Sequence, residues 1–253
     1  MRKIALITGA TSGFGKAFAE KFAANHYNII ITGRRGDRLK TLEKELQDKF
    51  HIDVLALQFD VRDKEKTFQI FEELPADWQA IDVLINNAGL ALGRDYFEDA
   101  DIEDWDTMID TNVKGLLYVT KAVVPYMIKR RQGHIINMGS VAGKEVYEKG
   151  NAYCASKFAV DAISRSMRID FLRHKIKVTS IDPGAADTEF GIVRFKGNAE
   201  MAKKVYDGLT PLTANDVAEV VFYTTTLPAH VCINDLVLTC TAQADSIYFY
   251  RET

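Results

Sequence analysis

The 253-residue chain is expected to fold as a single-domain α/β protein, a doubly wound parallel sheet of about seven strands with helices on both faces. Two observations carry this expectation. Short apolar runs alternate with helical patterns from end to end, the sequence signature of a parallel sheet linked by crossover helices. No linker, repeat or low-complexity segment divides the chain. A third observation bears on function. Glycines, arginines, asparagines and a serine recur at the carboxyl ends of the expected strands, where ligands bind in such sheets.

Ile4 to Ile7 is apolar throughout, as befits a strand buried on both faces. It runs into Thr8-Gly9-Ala10-Thr11-Ser12-Gly13-Phe14-Gly15, and Phe14, Phe18 and Phe22 then repeat every four residues. Strand, glycine-rich turn and helix together make a dinucleotide site. Glycines let the backbone approach a pyrophosphate, and the helix N-terminus offers unpaired N–H groups. The spacing is G-x-x-x-G-x-G. Taken alone, such a cluster is as readily an ordinary turn.

Asn28 to Thr32 predicts a second strand, ending at Gly33-Arg34-Arg35. A Rossmann-type NAD site usually has an acidic residue here for the ribose 2′-OH. Arg34 and Arg35 suit a 2′-phosphate instead, which argues for NADP. Leu39, Leu42 and Leu46 mark the next helix. Val54 to Phe59 predicts a third strand ending in Asp60-Val61. The Asp60 carboxylate suits either the adenine amino group or a cap for a helix beginning near Arg62.

That helix should reach about Leu74, where Pro75 breaks it. Ile81 to Ile85 predicts a fourth strand, followed by Asn86-Asn87-Ala88-Gly89. Asn87, Ala88 and Gly89 suit close backbone contact with a ribose. Residues 90–104 form an acid-rich loop. Trp105 to Met127 is one long helix, kinked by Pro125 and ended by Gly133. Asn112 lies in its buried-looking stretch and needs several hydrogen-bond partners. His134 to Met138 predicts a fifth strand delivering Ser140.

Tyr153 and Lys157 stand four residues apart, one turn on the same face of a helix. An ammonium beside a phenol favours the phenolate, giving an acid/base suited to alcohol or ketone chemistry. Ser140 can hold the substrate oxygen opposite. Such a Tyr–Lys pair alone is usually a pair of surface neighbours. Lys177 to Ile181 predicts a sixth strand, and Pro183-Gly184 with Ala186 and Thr188 suits the nicotinamide wall. Residues 189–210 have no clean period and are expected to form a mobile lid, whose Arg194 and Lys196 suit either a carboxylate or plain solvation. Asn215 to Thr226 and Ile233 to Leu238 close the chain as a helix and a seventh strand.

The net charge of −3 argues against nucleic acid and anionic membranes as partners. Cys154, Cys232 and Cys240 show no metal-ligand spacing, so no metal site is expected and free thiols in the cytoplasm are. Met1-Arg2-Lys3 runs directly into the first strand without a leader pattern.

Along its whole length the chain resembles the short-chain dehydrogenase/reductase family. The matching residues are Thr8 to Gly15 (T-G-x-x-x-G-x-G), Asn86 to Gly89, Asn112, Ser140, Tyr153-x-x-x-Lys157 and Pro183-Gly184-x-x-x-Thr188. The resemblance implies one domain over 1–253, with a cofactor-binding half at 1–139 and a catalytic and substrate-loop half at 140–253. It implies the tetrad Asn112, Ser140, Tyr153 and Lys157. Tyr153 is then the acid/base, and Ser140 positions the substrate oxygen. Lys157 lowers the tyrosine pKa and binds the ribose, while Asn112 holds a relay water. It also implies a homotetramer through helices such as 105–127 and 153–173.

Gly33-Arg34-Arg35, Asn86 to Gly93, Arg194-Phe195-Lys196-Gly197 and Leu227 to Val231 resemble one group within the family, the NADP-dependent 3-hydroxy acid dehydrogenases. That implies NADP(H) as cofactor and serine-like hydroxy acids or 3-oxo acids as substrates. The group carries bulky apolar residues near the substrate where this chain has Lys144-Glu145-Val146. The alternatives are a 3-oxoacyl-thioester or general carbonyl reductase, and a nucleotide-sensing module without turnover. The first would want a basic docking patch, and Lys129-Arg130-Arg131 suits either that or a helix C-terminus. The second has little need of an intact tetrad.

Overall fold

The computed structural model describes residues 2–252. Strands β1 (Ile4–Ile7), β2 (Asn28–Gly33), β3 (Val54–Gln58), β4 (Ile81–Asn86), β5 (Gly133–Met138), β6 (Ile176–Pro183) and β7 (Asp235–Leu238) make one sheet in the order 3-2-1-4-5-6-7. Every pairing is parallel. Successive side chains of a strand point to opposite faces, and both faces here are covered. Ala5, Ile7, Ile29 and Ile31 enter one core with Phe18, Phe22, Leu39, Leu42, Val217 and Val221. Leu6 and Ile30 enter the other with Phe71, Val119, Val123, Val160 and Met167. Helices α1 (Gly13–Ala24), α2 (Gly36–Phe50) and α9 (Ala214–Thr226) cover the first face. Helices α3 (Lys64–Glu72), α5 (Leu116–Arg130) and α6 (Asn151–Phe171) cover the second. Strands that are apolar on both faces therefore read as continuous runs in the sequence.

Three expected elements differ. The long helix begins earlier, as α4 (Ile102–Ile109), and passes through a π-helical segment, Asp110–Gly115, before α5. Such wide turns are frequent at functional sites. Pro125 lies inside α5, which runs on to Arg130 and ends at left-handed Arg131 (φ 52°). Gly133 does not cap it and instead opens β5, because a Cβ there would press on Met127. The helix after Asp60 begins at Lys64 and is capped by Asp63, whose carboxylate accepts the Lys66 N–H at 2.9 Å. The segment expected as a lid contains two short helices, α7 (Glu189–Arg194) and α8 (Ala199–Lys204). No described helix is long and apolar enough to cross a membrane, and no cluster of potential metal ligands occurs among the described residues.

Candidate active site

The carboxyl ends of the strands open into a cleft of about 1080 Å³. Gly9, Thr11, Ser12, Gly13, Phe14, Arg34, Arg35, Asp60 and Val61 line one part of it. Asn87, Ala88, Gly89, Ser140, Tyr153, Lys157, Pro183, Gly184, Ala186, Thr188 and Arg194 line the rest. Gly15 and Asn112 lie behind the wall.

The glycine turn follows from close packing. Gly9 has φ +65°, in the region that suits glycine. A Cβ on Gly15 would run into the Gly9 carbonyl oxygen and come within 2.6 Å of Asn87 Nδ2. Asn87 braces this turn, donating from Nδ2 to the Thr8 and Gly9 carbonyls at 2.8 and 3.2 Å. Thr8 Oγ1 in return accepts the Asn87 and Ala88 N–H groups, each at 2.9 Å. The next helix starts at Gly13, and the Ser12 side chain caps none of its N–H groups. A helix N-terminus without a side-chain cap beside a glycine turn leaves N–H groups that suit an anion.

Arg35 stands beside the glycine turn. Its guanidinium donates to Thr11 Oγ1 and Ser12 Oγ, both at 2.8 Å from Nη2. It also meets Glu189 of α7 at 3.3 Å, and Arg38 meets the same carboxylate at 3.0 Å. Partial burial acts to raise the Glu189 pKa, but Arg38 and Arg35 hold it below the usual glutamate range. Asp60 caps no helix. It accepts the Arg62 N–H at 3.0 Å, pairs with the Arg62 guanidinium at 2.7 Å and lies 3.9 Å from Arg34.

The other end holds the candidate reacting groups. Tyr153, Lys157 and Ser140 are all buried. Lys157 Nζ donates to the Met138 carbonyl at 2.9 Å and lies 5.8 Å from the Tyr153 ring centre. Burial pushes the Lys157 ammonium down to about 8, opposed by Asp182. The Tyr153 phenol is pushed up, first by burial and then by Tyr147, against the pull of Ser140 and Arg194. For this phenol burial outweighs the lowering by Ser140 and Arg194. Ser140 Oγ accepts the Ala142 N–H at 3.1 Å. The Thr188 hydroxyl accepts the Phe190 N–H at 3.2 Å, which leaves its own hydrogen to offer.

Asn112 sits in the π-helical segment. Its Oδ1 accepts the Leu90 N–H at 2.8 Å, and Nδ2 donates to the Leu90 carbonyl at 2.8 Å and to Ser156 Oγ at 3.0 Å. Both amide hydrogens of the side chain are committed to protein. It ties the loop after β4 to α6.

Arg194 lies between two aromatic rings, 5.6 Å from Tyr147 and 5.4 Å from Tyr153. It donates to the Tyr147 hydroxyl at 3.1 Å, while its buried Nε has no protein partner. Lys196 points away and pairs with Asp104 at 2.8 Å. Lys144, Glu145 and Val146 do not line the cleft. Lys144 binds a group of aspartates behind it, Glu145 accepts from Ser246 at 2.9 Å, and Val146 faces solvent. Glu145 reaches the cleft only through Ser246, which lines it. Two residues of the basic run are bonded within the protein, while Lys129 is exposed. Arg130 pairs with Asp82 and donates to the Ile81 carbonyl, and Arg131 donates to the Arg173 carbonyl.

Sequence reasoning missed several cleft residues: Tyr147, Phe190, Tyr206, Gln243 and Phe249. Tyr147 is the one with a signal, an aromatic residue six before Tyr153. The others arrive through α7, α8 and the C-terminal segment, where the sequence carries no motif.

A parallel sheet in this order, with Ser140, Tyr153 and Lys157 at the mouth of a glycine-turn cleft, defines a nucleotide-dependent oxidoreductase scaffold. The chain belongs to the short chain dehydrogenase family, whose model matches residues 3–198. It is 49% identical over 232 residues to the NADP-dependent 3-hydroxy acid dehydrogenase YdfG of Salmonella typhi, covering 91% of this chain and 92% of that one. It is 45% identical over 249 residues to sulfoacetaldehyde reductase 2 of Chromohalobacter salexigens, covering 98% of each. Among solved structures it is similar to the closed form of serine dehydrogenase complexed with NADP+, with TM-score 0.91 and 44% identity, covering 99% of this chain and 100% of that one.

Proposed function

We propose that the protein is an NADP-dependent dehydrogenase that oxidises the 3-hydroxyl of small 3-hydroxy acids such as serine, or reduces the matching 3-oxo acids. The observation that carries the reading is the position of Arg194. It holds a cation against the ring of the buried tyrosine, so an anionic substrate placed on it has its hydroxyl carbon close to Tyr153. The relatives named for 3-hydroxy acid and serine oxidation support the same substrate class.

The residues present fit NADP. The glycine turn leaves no room for a Cβ at Gly15, the α1 N-terminus is free of a side-chain cap, and Arg34 and Arg35 stand where a 2′-phosphate needs cations. When bound, NADP+ supplies the carbon that accepts the hydride. Gly9 to Gly13 hold the pyrophosphate by backbone N–H groups. Asn87, Ala88 and Gly89 flank a ribose, and Pro183 to Thr188 wall the nicotinamide. Ser140 Oγ and Tyr153 Oη hold the substrate oxygen, and Tyr153 moves its proton. Burial keeps the phenol protonated in the free protein, the state that donates to a carbonyl oxygen. Lys157 faces the ribose as an ammonium. Asn112 acts behind the wall as a brace.

The sulfoacetaldehyde reductase likeness favours a second reading, since a guanidinium binds a sulfonate as well as a carboxylate. A substrate panel distinguishes them. It contains L- and D-serine, L-allo-threonine, 3-hydroxypropionate, sulfoacetaldehyde and a neutral alcohol of matching size. The first reading expects the hydroxy acids to reduce NADP+ best, and Arg194→Met to raise their KM by about tenfold or more while sparing the neutral alcohol. Preference for sulfoacetaldehyde favours the second reading. An unchanged KM for the hydroxy acids in Arg194→Met removes the anion site.

We further infer a cytoplasmic homotetramer. Support comes from the free thiols Cys154, Cys232 and Cys240 and from the exposed Leu117 of α5 and Ile169 of α6, with Leu172 just beyond it. Light scattering on the purified protein tests the assembly. A monomer at micromolar concentration would contradict it.

A further inference from the structure

The Arg35 guanidinium is nearly filled by the protein itself. A guanidinium has five N–H groups, and four of these are engaged. Nε donates to Thr11 Oγ1 at 3.1 Å, and Nη2 donates to Thr11 Oγ1 and to Ser12 Oγ, both at 2.8 Å. Nη1 donates to Glu189 Oε2 at 3.3 Å. A single N–H is left, too few for the paired contact that a phosphate takes from a guanidinium. Of the three acceptors, Glu189 is the one that carries charge.

Glu189 reaches Arg35 from the opposite wall. It is the first residue of α7, and its neighbour Thr188, the N-cap, packs on the glycine turn. A Cβ added at Gly13 would stand 3.4 Å from the Thr188 Cβ. Arg38 of α2 holds the same carboxylate, donating from Nη1 to both oxygens at 3.0 Å. Arg35 and Glu189 line the cleft, whereas Arg38 does not. The carboxylate is thus shared between a guanidinium that faces the cleft and one outside it. Arg34 is placed differently. The carboxylate beside it, Asp60, is 3.9 Å away and is hydrogen-bonded to Arg62 instead.

We propose that Glu189 is a specificity-determining residue for the cofactor: in the free protein its carboxylate occupies the Arg35 contact that the 2′-phosphate of NADP(H) needs, and binding of NADP(H) leaves it on Arg38. The inference rests on the NADP reading above. A phosphate and a carboxylate on one guanidinium repel each other, so Glu189 weakens NADP(H) binding. NAD(H) has a 2′-hydroxyl in place of the phosphate and leaves the Arg35–Glu189 pair intact. Glu189 therefore narrows the preference for NADP(H) that the arginines create. By returning to Arg35 it also eases the release of NADP(H).

The test is Glu189→Gln, which keeps the size of a half-exposed side chain and removes its charge. NADPH and NADH are titrated calorimetrically into wild type and variant at low and high ionic strength. At low ionic strength the variant is expected to bind NADPH about three- to tenfold tighter and NADH within about twofold of wild type. The gain should shrink at high ionic strength, since such charges are screened. Stopped-flow displacement should show slower NADPH release. An NADPH-to-NADH affinity ratio that the variant leaves unmoved overturns the proposal. So does weaker NADPH binding, the result expected if Glu189 merely clasps α7 to α2. Arg35→Ala separates the proposal from the reading beneath it. If Arg35→Ala lowers the NADPH preference and Glu189→Gln leaves it unmoved, the role of Glu189 alone fails. If Arg35→Ala leaves the preference unmoved, the 2′-phosphate does not sit on Arg35, and the reading falls together with the proposal.

Discussion

Arg35 and Arg194 mark the two ends of the cleft, and each is held by neighbours that set its direction. Arg35 is anchored by Thr11 and Ser12 of the glycine turn, so its charge is already in place for a phosphate beside that turn. A charge-assisted contact to a phosphate contributes about 1.5–3 kcal/mol. Arg35→Ala should therefore weaken NADP+ binding by roughly 10- to 100-fold while leaving NAD+ nearly unchanged. Calorimetric titration of both nucleotides checks this, and equal losses would move the arginine away from the 2′-phosphate. Arg34 and Arg35 were legible in the sequence because a strand end predicts where the ribose lies. Arg194 was only half legible: its residue type suits an anion, but nothing local reveals that Tyr147 and Tyr153 sandwich it. Asp182 was read only as part of a turn. Its partners, Ser140 and Lys144, lie about forty residues away in the chain.

At the scale of elements, the glycine turn shows how tightly a strand, a turn and a helix must meet. Gly15 touches nothing in the cleft, yet a methyl there would strike the Gly9 carbonyl and crowd Asn87. Overpacking of this kind costs about 1–3 kcal/mol, and the strain falls on the anion-binding turn itself. Gly15→Ala should lower the melting temperature and weaken NADPH binding together. A variant that melts lower but binds normally would show that the strain is absorbed in α1. The strands and the main helices were legible from their periods, as in Ile4–Ile7 and the Phe14, Phe18, Phe22 spacing. The π-helical segment was not, because its cause is tertiary: Asn112 must reach Leu90 and Ser156 at once. Helices α7 and α8 were hidden by their length, since six residues are too few to show a helical period.

For the whole molecule, the core also sets a pH limit. His134 of β5 is buried, bonded to Thr179 Oγ1 at 2.7 Å, and burial with Lys177 nearby pushes its pKa from 6.5 to about 3. Above pH 6.5 neither the folded nor the unfolded chain protonates it, so there is no penalty. As pH falls from 6.5 towards 3, the unfolded chain takes a proton that the folded chain refuses, and stability is lost. By pH 4.5 the loss from this one residue reaches about 2–3 kcal/mol. Urea denaturation at pH 7 and pH 4.5 checks it: His134→Gln should lose less stability between the two than the wild type. Equal losses would assign the acid sensitivity to other groups.

The same sheet that buries His134 brings the glycine turn, the two arginines and the Ser140, Tyr153, Lys157 group to one edge, and their union in one cleft is the central claim. The measurement that tests it most directly is reduced-nicotinamide absorbance with purified protein, L-serine or 3-hydroxypropionate, and NADP+ or NAD+ side by side. NADPH formation is expected to exceed NADH formation and to fall by about 10²-fold or more in Tyr153→Phe, while this variant still binds NADPH. Turnover that survives the loss of the phenol, or that prefers NAD+, would contradict it.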